Sequence, residues 1–491
     1  MKTLLAFIFS YNYDGLLSIA VTITYAVLSI GATIHVLLNK HDIKSSIGWI
    51  AIVFLSPFIG TICYIVFGIN RVTRKAVRLR SETVDETVDE SEISPSSQDN
   101  TIKVLSLQAH QMMVYSKNVY PQGFIRGNII EPLLSGIEAY PAMLDAIKNA
   151  KKEVLLESYI FDSDSETDKF LDAFSTAIQN GVKVKVLIDG FGTLRLFRRN
   201  IEKKLAKVSG LKYGVFLPPH IPISLPFINL RNHRKLMIVD GETAFFGGMN
   251  LSASNMIPTD QKNGISDITF KIKGAVIDQI AQIFESDWAF VKKETFASCS
   301  NFVKYDNDSG ALARVIPDGP DISIRRTRYI IEGALNSALK HIAIMTPYFL
   351  PDNDILSACE IAAMRGVEIE IIVPENNDHQ IIAWASEANY PYLIEKGIKI
   401  YKKHGAFEHS KLFVVDQLWS LIGSANWDMR SFRLHFESTM EILDEKFARK
   451  ALEIFSSKKS DSRLINLDEY KNSSILKKLR NNTLRLLTPY C

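Results

Sequence analysis

Two long apolar runs without charged residues dominate the first seventy positions of the chain. Residues 15–38 and 45–69 extend for 24 and 25 positions without Asp, Glu, Lys or Arg. A helix of about 20 apolar residues crosses the hydrocarbon core of a bilayer, and only a short polar segment joins the two runs. The pattern therefore predicts a two-helix transmembrane hairpin, with spans at about 15–38 and 46–69 and both ends on one side. Two buried helices of a soluble protein and a cleaved signal peptide are the alternatives.

Charged segments follow the second apolar run and set its orientation. Residues 71–80 contain five basic side chains, and the positive-inside rule places this end of a span in the cytoplasm. We therefore expect a multi-pass protein of the cytoplasmic membrane, anchored by residues 1–80, with the rest of the chain in the cytoplasm. Residues 81–100 are acidic and rich in Ser, which predicts a solvated linker that we extend over residues 81–128.

Beyond residue 129, short β-rich apolar runs alternate with helical stretches, and whole segments recur. The alternation of strands and helices predicts an α/β fold, and the recurrence predicts a duplicated domain of roughly 170 residues. We assign the repeats to residues 129–295 and 296–460, packed about a pseudo-twofold axis, with a C-terminal tail at 461–491. The recurring segments, in the same order along the chain, are 154–161 with 342–349, 181–190 with 366–375, and 233–250 with 409–426.

Composition and charge narrow the classes of function. The chain has 57 Lys and Arg against 54 Asp and Glu, a formal net charge of +3, which argues against a dedicated nucleic-acid-binding protein. A hydrophobic content of 47% fits a folded chain with a large core. The Cys residues form no C-x-x-C pair, so neither a disulfide scaffold nor a zinc or redox site of that kind is expected. The four positions are Cys63, Cys299, Cys359 and Cys491.

Both repeats carry the motif H-x-K-x4-D-x6-G-[GS]-x-N. One such motif would be a weak signal, but two copies at matching places in a duplicated domain are a strong one. We take the His, Lys and Asp positions as the catalytic motif and the Asn positions as phosphate-binding. The residues are His233, Lys235, Asp240, Gly247, Gly248 and Asn250 in the first repeat, and His409, Lys411, Asp416, Gly423, Ser424 and Asn426 in the second.

Strand geometry divides the motif between two faces. The segments NHRKLMIVD and HSKLFVVD are typical of β-strands, in which alternate side chains share a face. His233 and Lys235 therefore point the same way, whereas Asp240 points to the other side, and the second repeat follows the same rule. We expect Asp240 and Asp416 to bind backbone or turn groups, and the two Asn amides to swing back toward the His–Lys face.

Two imidazoles, two ammonium groups and two amides in one site suit a phosphodiester. A neutral imidazole can attack phosphorus and form a covalent intermediate, and a protonated one can give a proton to the leaving alcohol. Ammonium and amide groups can neutralise the charge that develops on the phosphate oxygens. The pattern therefore predicts a phosphodiester reaction that requires neither a metal ion nor an organic cofactor. The spacing H-x-K also differs from that of the usual zinc ligands.

Each catalytic His also needs a group that orients its second ring nitrogen. We expect this group on a strand of the same repeat, where a bare carboxylate in an apolar run would otherwise be costly. Asp267 follows His233 by 34 residues, and Glu437 follows His409 by 28. The sequence thus pairs Asp267 with His233 and Glu437 with His409, and an ordinary salt bridge is the alternative.

The doubled motif resembles that of the phospholipase D superfamily, and nearly the whole chain resembles bacterial-type cardiolipin synthases. The similarity extends to the segments SSIGWIAIVFLSPFIGTICYIVFG, TPYFLPD and NWDMRSFRLHFE. The resemblance implies a membrane enzyme that joins two phosphatidylglycerol molecules, one as donor and one as acceptor, into cardiolipin and releases glycerol. It also implies that His233 is the nucleophile and His409 the acid–base group, with Asp267 and Glu437 as the orienting carboxylates.

Two positions depart from the pattern of that family. It usually has Trp-Arg where this chain has Ile265-Ser266, and Asn where this chain has His435. Neither change removes a group that the chemistry needs, so the departures bear on the choice of acceptor more than on the type of reaction.

Two other functions and two lipid-contacting segments are also compatible with the sequence. Water in place of the acceptor alcohol would make the enzyme a hydrolase of the phospholipase D type, and a non-catalytic membrane scaffold is a third reading.

Residues 193–207 are basic and amphipathic, and residues 216–230 are apolar and rich in Pro. Each segment is a candidate for contact with a bilayer, and packing on the protein core is the alternative for both.

Overall fold

The chain forms two compact units, Met1–Arg74 and Lys75–Cys491, which are described separately. The basic run at 71–80 and the acidic segment at 81–100 lie outside the described residues. The computed structural model describes residues 15–40, 42–68, 106–192, 200–218, 230–256, 263–294, 310–321 and 323–486.

The described part of the first unit begins with an apolar helix, within which Ile19–Asn39 is long and apolar enough to cross a membrane. The second predicted span is not one continuous helix, because it breaks at Ser56. Proline has no N–H to continue the helical hydrogen bonds and its ring clashes with the preceding turn, so Pro57 begins a new helix. The elements are α1 (Gly15–Asn39), α2 (Ile43–Leu55), α3 (Pro57–Cys63) and a π-helical turn at Tyr64–Gly68.

Within this unit, α1 packs against the elements that follow it. The Tyr25 hydroxyl donates to the Phe54 carbonyl oxygen at 2.6 Å, and His35 Nδ1 lies 2.8 Å from the Tyr64 hydroxyl. Few side chains are buried, and most of the large apolar ones face outward. An apolar surface of this extent marks a contact with lipid or with another protein.

One continuous mixed β-sheet runs through the second unit. Its strands and those of two small accessory sheets are β1 (Ile125–Leu134), β2 (Glu153–Ser158), β3 (Lys183–Asp189), β4 (Lys212–Phe216), β5 (Arg231–Asn232), β6 (Leu236–Val239), β7 (Thr243–Gly247), β8 (Ile265–Ser266), β9 (Ile268–Lys273), β10 (Ala311–Asp318), β11 (His341–Met345), β12 (Phe349–Leu350), β13 (Glu368–Pro374), β14 (Lys399–Lys403), β15 (Phe407–Glu408), β16 (Leu412–Val415), β17 (Trp419–Gly423), β18 (Trp427–Asp428), β19 (His435–Leu443) and β20 (Ser462–Leu464).

The strand order is the same on the two sides of the central antiparallel pair, β1 and β10. It runs β9, β7, β6, β2, β3 and β4 on one side, and β19, β17, β16, β11, β13 and β14, followed by β20, on the other. In each half the outer strands β2–β3–β4 and β11–β13–β14 are parallel, and the inner ones are antiparallel. The prediction of a mixed α/β fold with two tandem repeats is confirmed.

Helices complete the hydrophobic core, part of which the two halves share. In the shared part, Ile280 and Phe284 from one half and Phe447 and Phe455 from the other belong to one buried cluster. The helices are α4 (Leu107–Val119), α5 (Ser135–Lys148), α6 (Ser165–Gln179), α7 (Asn200–Lys207), α8 (Ile277–Lys292), α9 (Arg326–Ser337), α10 (Asn353–Met364), α11 (Gln380–Glu387), α12 (Tyr390–Glu395), α13 (Met429–Arg433), α14 (Glu445–Ser460), α15 (Leu467–Lys471) and α16 (Ile475–Leu486).

Part of the predicted linker at 81–128 is folded. It contains α4 and the start of β1, and Ala109 and Met112 of α4 are buried in the core of the second half. The Arg314 guanidinium also donates to the Ser116 carbonyl oxygen at 2.7 Å. The sequence of α4 did not reveal this helix, because its apolar residues are spread around the helix axis and form no single face.

The two predicted lipid-contacting segments are described only in part. Residues 193–199 and 219–229 lie outside the described residues. The remainder of the first segment is α7, in which Ile201 and Leu205 are fully buried in the core of the first half. For these two side chains the structure therefore supports packing on the core.

Candidate active site

The first His–Lys pair lies in a short connection rather than inside a strand. β5 ends at Asn232 and β6 begins at Leu236, so residues 233–235 lie between them. The prediction of one continuous strand was wrong at this point, because β5 pairs with β19 of the other half whereas β6 pairs with β2 and β7. The second pair, His409 and Lys411, lies in the same way between β15 and β16.

Each His-bearing segment is hydrogen-bonded to the other half of the molecule. The His233 amide donates to the Phe436 carbonyl oxygen at 2.9 Å, next to the parallel pair of β5 and β19. The His409 amide donates to the Ser266 carbonyl oxygen at 2.7 Å, next to the parallel pair of β8 and β15. The two motifs therefore meet at the seam between the halves.

At this seam each motif imidazole contacts the orienting carboxylate of the other repeat. His233 Nδ1 lies 2.9 and 3.1 Å from the two carboxylate oxygens of Glu437, and His409 Nδ1 lies 2.7 Å from Oδ2 of Asp267. The predicted pairing within each repeat was therefore wrong, although both carboxylates do contact a motif imidazole. Glu437 directly follows Phe436, to which the His233 amide donates, and Asp267 directly follows Ser266, to which the His409 amide donates. The cross-seam strand pairs therefore place each imidazole beside a carboxylate of the other repeat.

The two lysines occupy equivalent positions. Lys235 Nζ donates to the His233 carbonyl oxygen and Lys411 Nζ to the His409 carbonyl oxygen, each at 2.5 Å. Burial and the mutual repulsion of the ammonium groups hold the pKa of Lys235 well below its usual range. Burial lowers the pKa of Lys411 to about 8, although neighbouring carboxylates oppose this. Two buried ammonium groups that repel each other favour an added negative charge beside them.

The surroundings of both imidazoles favour the neutral form. Burial holds the pKa of His233 well below its usual range, and Lys235 adds to this while Glu437 opposes it. Burial and Lys411 lower the pKa of His409, and Asp267 opposes them. Both rings are therefore neutral at neutral pH without a bound anion.

The carboxylate beside His233 has an additional hydrogen-bond donor. The Ser424 hydroxyl donates to Glu437 Oε2 at 2.5 Å. Burial alone would raise the pKa of Glu437, but His233 and Lys235 outweigh it and hold this pKa well below its usual range. The equivalent position in the first repeat is Gly248, where an added Cβ would lie 3.0 Å from an Asp267 carboxylate oxygen and 2.8 Å from the Lys411 side chain.

Asp240 and Asp416 are structural, as the strand alternation predicts. The Asp240 carboxylate accepts backbone N–H groups from residues 151–153 at 2.7 to 2.9 Å. The Asp416 carboxylate accepts those of residues 339–341 at 2.6 to 2.8 Å, and the Gln108 amide as well. Their inclusion in the catalytic motif is therefore corrected, because each carboxylate binds the turn that precedes a neighbouring strand.

Both predicted phosphate-binding Asn residues are buried, each in the segment that follows its Gly-containing turn. Asn250 Oδ1 accepts the Ile160 amide at 3.1 Å, and its backbone oxygen accepts the Tyr140 hydroxyl at 2.8 Å. Asn426 Oδ1 is buried and has no hydrogen-bond partner among the described residues. No hydrogen bond joins either side chain to a motif His in the described part of the chain, so their phosphate-binding role stays a prediction.

Two aromatic rings beside the motif were not anticipated. The Tyr159 ring centroid lies 4.9 Å from that of His233 and 5.2 Å from Lys235 Nζ. The Phe407 ring centroid lies 5.5 Å from that of His409. The sequence offered one signal for Tyr159, because it lies in the recurring segment 154–161, which we used only to define the repeat.

A third imidazole, that of His435, lies beside the His233–Glu437 pair. Its ring is buried, and neither nitrogen makes a hydrogen bond to a described residue, although Nδ1 lies 3.7 Å from Glu437 Oε1. His233, His435 and Glu437 offer ligand atoms within 4.8 Å of one another, as a metal site would. The Lys235 ammonium beside His233 and the bond from His233 to Glu437 disfavour a cation there.

Comparison with known proteins agrees with this architecture. Residues 143–288 and 331–459 match the family described as cardiolipin synthase, PLD-like domain, and residues 27–68 match the phospholipase D-nuclease N-terminal family. The chain is 30% identical to a cardiolipin synthase of Alkalihalophilus pseudofirmus, over 96% of this chain and 93% of that one. It is also 30% identical to cardiolipin synthase 2 of Bacillus anthracis, over 95% of this chain and 90% of that one.

A solved structure shares the fold of the second unit. The phosphatidylserine synthase of Haemophilus influenzae superposes with a TM-score of 0.61 at 17% identity, covering 78% of this chain and all of that one. The matched family covers both halves of the sheet and both His–Lys segments. The chain therefore belongs to the cardiolipin synthase family of phospholipase D-like phosphatidyltransferases.

Proposed function

We propose that this chain is a cardiolipin synthase that transfers the phosphatidyl group of one phosphatidylglycerol to a second one and releases glycerol. The observation that carries the proposal is the pair of imidazole–carboxylate contacts across the seam, His233 with Glu437 and His409 with Asp267. Each buried imidazole is oriented at Nδ1 by a carboxylate, so its Nε2 is the atom that serves the chemistry, and Lys411 Nζ lies 3.0 Å from the Nε2 of His409. Two lysines beside them supply positive charge for the phosphate oxygens.

The first step forms a covalent phosphatidyl-histidine. His233 Nε2 attacks phosphorus, and the bond between phosphorus and the glycerol oxygen breaks. His409 gives its proton to that oxygen, and glycerol leaves. In the second step His409 takes the proton of a hydroxyl on the second phosphatidylglycerol, whose oxygen displaces His233 from phosphorus. His233 is thus the nucleophile in the first step and the leaving group in the second, and His409 is the acid in the first step and the base in the second.

The assignment of the two roles follows the family resemblance, and the protonation states of the imidazoles are compatible with it. A nucleophile must be neutral, and burial and Lys235 lower the pKa of His233. His409 must hold a proton when glycerol leaves. The phosphodiester anion itself supplies this condition, because a negative charge near an imidazole raises its pKa.

Roles for the other groups follow from their positions. Glu437 and Asp267 hold the imidazoles in the tautomer that leaves Nε2 available. Lys235 and Lys411 neutralise the non-bridging oxygens, and the Asn250 and Asn426 side chains complete the phosphate-binding set with their amides. The chain's own side chains supply every proton transfer in this scheme.

We also propose the membrane topology and the domain limits. The apolar helix α1 crosses the bilayer, and α2, α3 and the π-helical turn return across it as a broken span, with the second unit in the cytoplasm. The repeats at 129–295 and 296–460 are related by a pseudo-twofold axis, which the matching strand orders on the two sides of β1 and β10 support.

The test is the full chain reconstituted in vesicles of phosphatidylglycerol, with products identified by mass spectrometry. We expect cardiolipin and free glycerol in equal amounts. Phosphatidic acid as the main product would make the protein a hydrolase, and the absence of turnover would favour a scaffold. His233→Ala and His409→Ala should each abolish synthesis, whereas the matched variant His379→Ala, at an exposed position on the same unit, should not.

A further inference from the structure

The C-terminal helix α16 presents an apolar face to the outside of the second unit. Ile475, Leu476, Leu479 and Leu486 are 68%, 76%, 57% and 74% exposed. Successive residues of a helix are about 100° apart, so these four side chains fall within one arc of about 100°. They form one apolar stripe, interrupted by Thr483, which falls within the same arc.

The other face of α16 packs on the protein through Asn481 and Leu484. Asn481 is 4% exposed and its amide donates to Glu387 at 3.2 Å, and Leu484 is half-buried. Arg480 and Arg485 lie at the borders between the two faces. The Arg480 guanidinium lies 3.9 Å from the centroid of the Trp384 ring, and the Arg485 guanidinium donates to the Asn389 side chain at 3.1 Å. A surface helix normally buries its apolar face, whereas α16 leaves four of its five large apolar side chains exposed.

The charges of α16 identify what the stripe contacts. The helix carries Lys477, Lys478, Arg480 and Arg485, and it contains no Asp or Glu. An amphipathic helix with apolar residues on one face and basic residues beside them binds the surface of an anionic bilayer. We propose that α16 docks the second unit on an anionic membrane surface, with its four exposed apolar side chains inserted among the lipid chains.

A second copy of this chain suits the stripe less well than lipid does. A twofold pairing of two such helices would bring identical basic side chains together at the edges of the contact, and like charges at that distance repel. Anionic headgroups instead neutralise the same side chains. The docking goes beyond the proposed reaction and is measured without it, so its failure is distinguishable from failure of the synthase activity.

The direct test places a fluorescent probe on the stripe of the full chain. In a background with the four native Cys replaced by Ala, Leu479→Cys carries an environment-sensitive fluorophore, and the protein is reconstituted in nanodiscs containing phosphatidylglycerol. We expect a blue-shifted emission that brominated lipids quench, and less quenching as salt rises. The matched probe at Ile361→Cys, on another helix and 50% exposed, should show neither effect.

Two results would overturn the docking. One is equal quenching, or none, at positions 479 and 361. The other is a blue shift that brominated lipids do not quench and that grows with the number of chains per nanodisc, because a second copy then covers the stripe.

A functional variant supports the same conclusion independently. Leu476→Glu together with Leu479→Glu places two charges in the stripe without touching the face that packs on the protein. We expect the apparent KM for phosphatidylglycerol in vesicles to rise by about tenfold while kcat changes little, because the contact positions the unit at the surface. Ile361→Glu serves as control, and an unchanged KM in the double variant would contradict the docking.

Discussion

The exchange of carboxylates across the seam gives each imidazole a distinct partner whose loss has a distinct consequence. In Glu437→Gln the partner of His233 can no longer fix the tautomer that attacks phosphorus, so the covalent phosphatidyl-enzyme should not form. In Asp267→Asn the partner of His409 is altered, so both the protonation of the leaving glycerol and the transfer to the acceptor should slow. We expect kcat to fall by about a hundredfold to ten-thousandfold in each variant.

Trapping of the covalent intermediate distinguishes the two variants. With a donor whose leaving group needs no proton, the first step no longer depends on His409, and acid-quenched enzyme analysed by mass spectrometry should carry a phosphatidyl group on His233 in Asp267→Asn and none in Glu437→Gln. Pairing within each repeat would give the opposite result, with the intermediate accumulating in Glu437→Gln.

The lowered pKa of Lys411 predicts a loss of activity at alkaline pH. Its ammonium is charged below its pKa of about 8 and neutral above it, because burial favours the neutral form. A plot of kcat/KM against pH should therefore fall above about pH 8. In Lys411→Arg the guanidinium stays charged, so the alkaline fall should move to higher pH even where the maximal rate is lower.

Circular dichroism over the same pH range is the control for that profile, because unfolding would produce a similar loss. An alkaline limb that is identical in the native chain and in Lys411→Arg would show that another group controls it.

At the scale of the elements, the buried ion pair of Lys458 and Glu408 joins helix α14 to the seam. Lys458 Nζ donates to Glu408 of β15 at 2.5 Å and to the Ser266 hydroxyl of β8 at 2.6 Å, next to His409 and Asp267. Lys458→Met leaves the Glu408 carboxylate buried without its cation, which should lower the free energy of unfolding by about 3–5 kcal/mol.

The matched control for this variant is Lys450→Met on the same helix. Lys450 is 59% exposed and pairs with Glu453, so we expect a change below about 0.5 kcal/mol. Chemical denaturation of the purified full chain measures both. Equal midpoints for the two variants would show that the buried pair contributes nothing to stability.

The turns before the outer strands depend on the two motif aspartates. The Asp416 carboxylate accepts three backbone amides of residues 339–341, so Asp416→Ala leaves these donors without it. We expect a loss of about 2–4 kcal/mol in the free energy of unfolding and a modest change in kcat per folded molecule. A thousandfold loss of kcat at unchanged stability would instead make Asp416 a catalytic residue.

At the scale of the whole molecule, the site exists only where the two halves of one sheet meet. The sheet is continuous through β1 and β10, and the short parallel pairs β5–β19 and β8–β15 cross the seam beside it. Each catalytic imidazole therefore depends on a strand from the other half. The departures from the family pattern, Ile265-Ser266 and His435, lie on these crossing strands, which places them beside the catalytic groups.

The extent to which the sequence could predict the structure differs between features. The duplication and the α/β fold followed from repeated segments and from the alternation of strands and helices, because these are local signals. The separate position of Asp240 and Asp416 also agrees with the prediction, although the His–Lys pairs lie in connections and not in the strands from which the alternation was counted. The break of the second apolar span at Ser56 has a local signal in Pro57, because proline cannot continue the helical hydrogen bonds. The fold of α4 was not predictable, since its apolar residues form no single face and their burial depends on the core that they contact.

The sequence by itself determined which chemical groups the site contains, because two copies of one motif supply two imidazoles and two ammonium groups, and the strand-like runs that follow them supply two carboxylates. Only the tertiary structure decided how these groups pair. The choice between partners in the same repeat and partners across the seam depends on which short strands form hydrogen bonds, and no periodicity in the chain records that. Helix α16 is a second feature that only the tertiary structure decided. Its sequence is that of an ordinary amphipathic helix, and its apolar face points outward only because its other side packs on the protein.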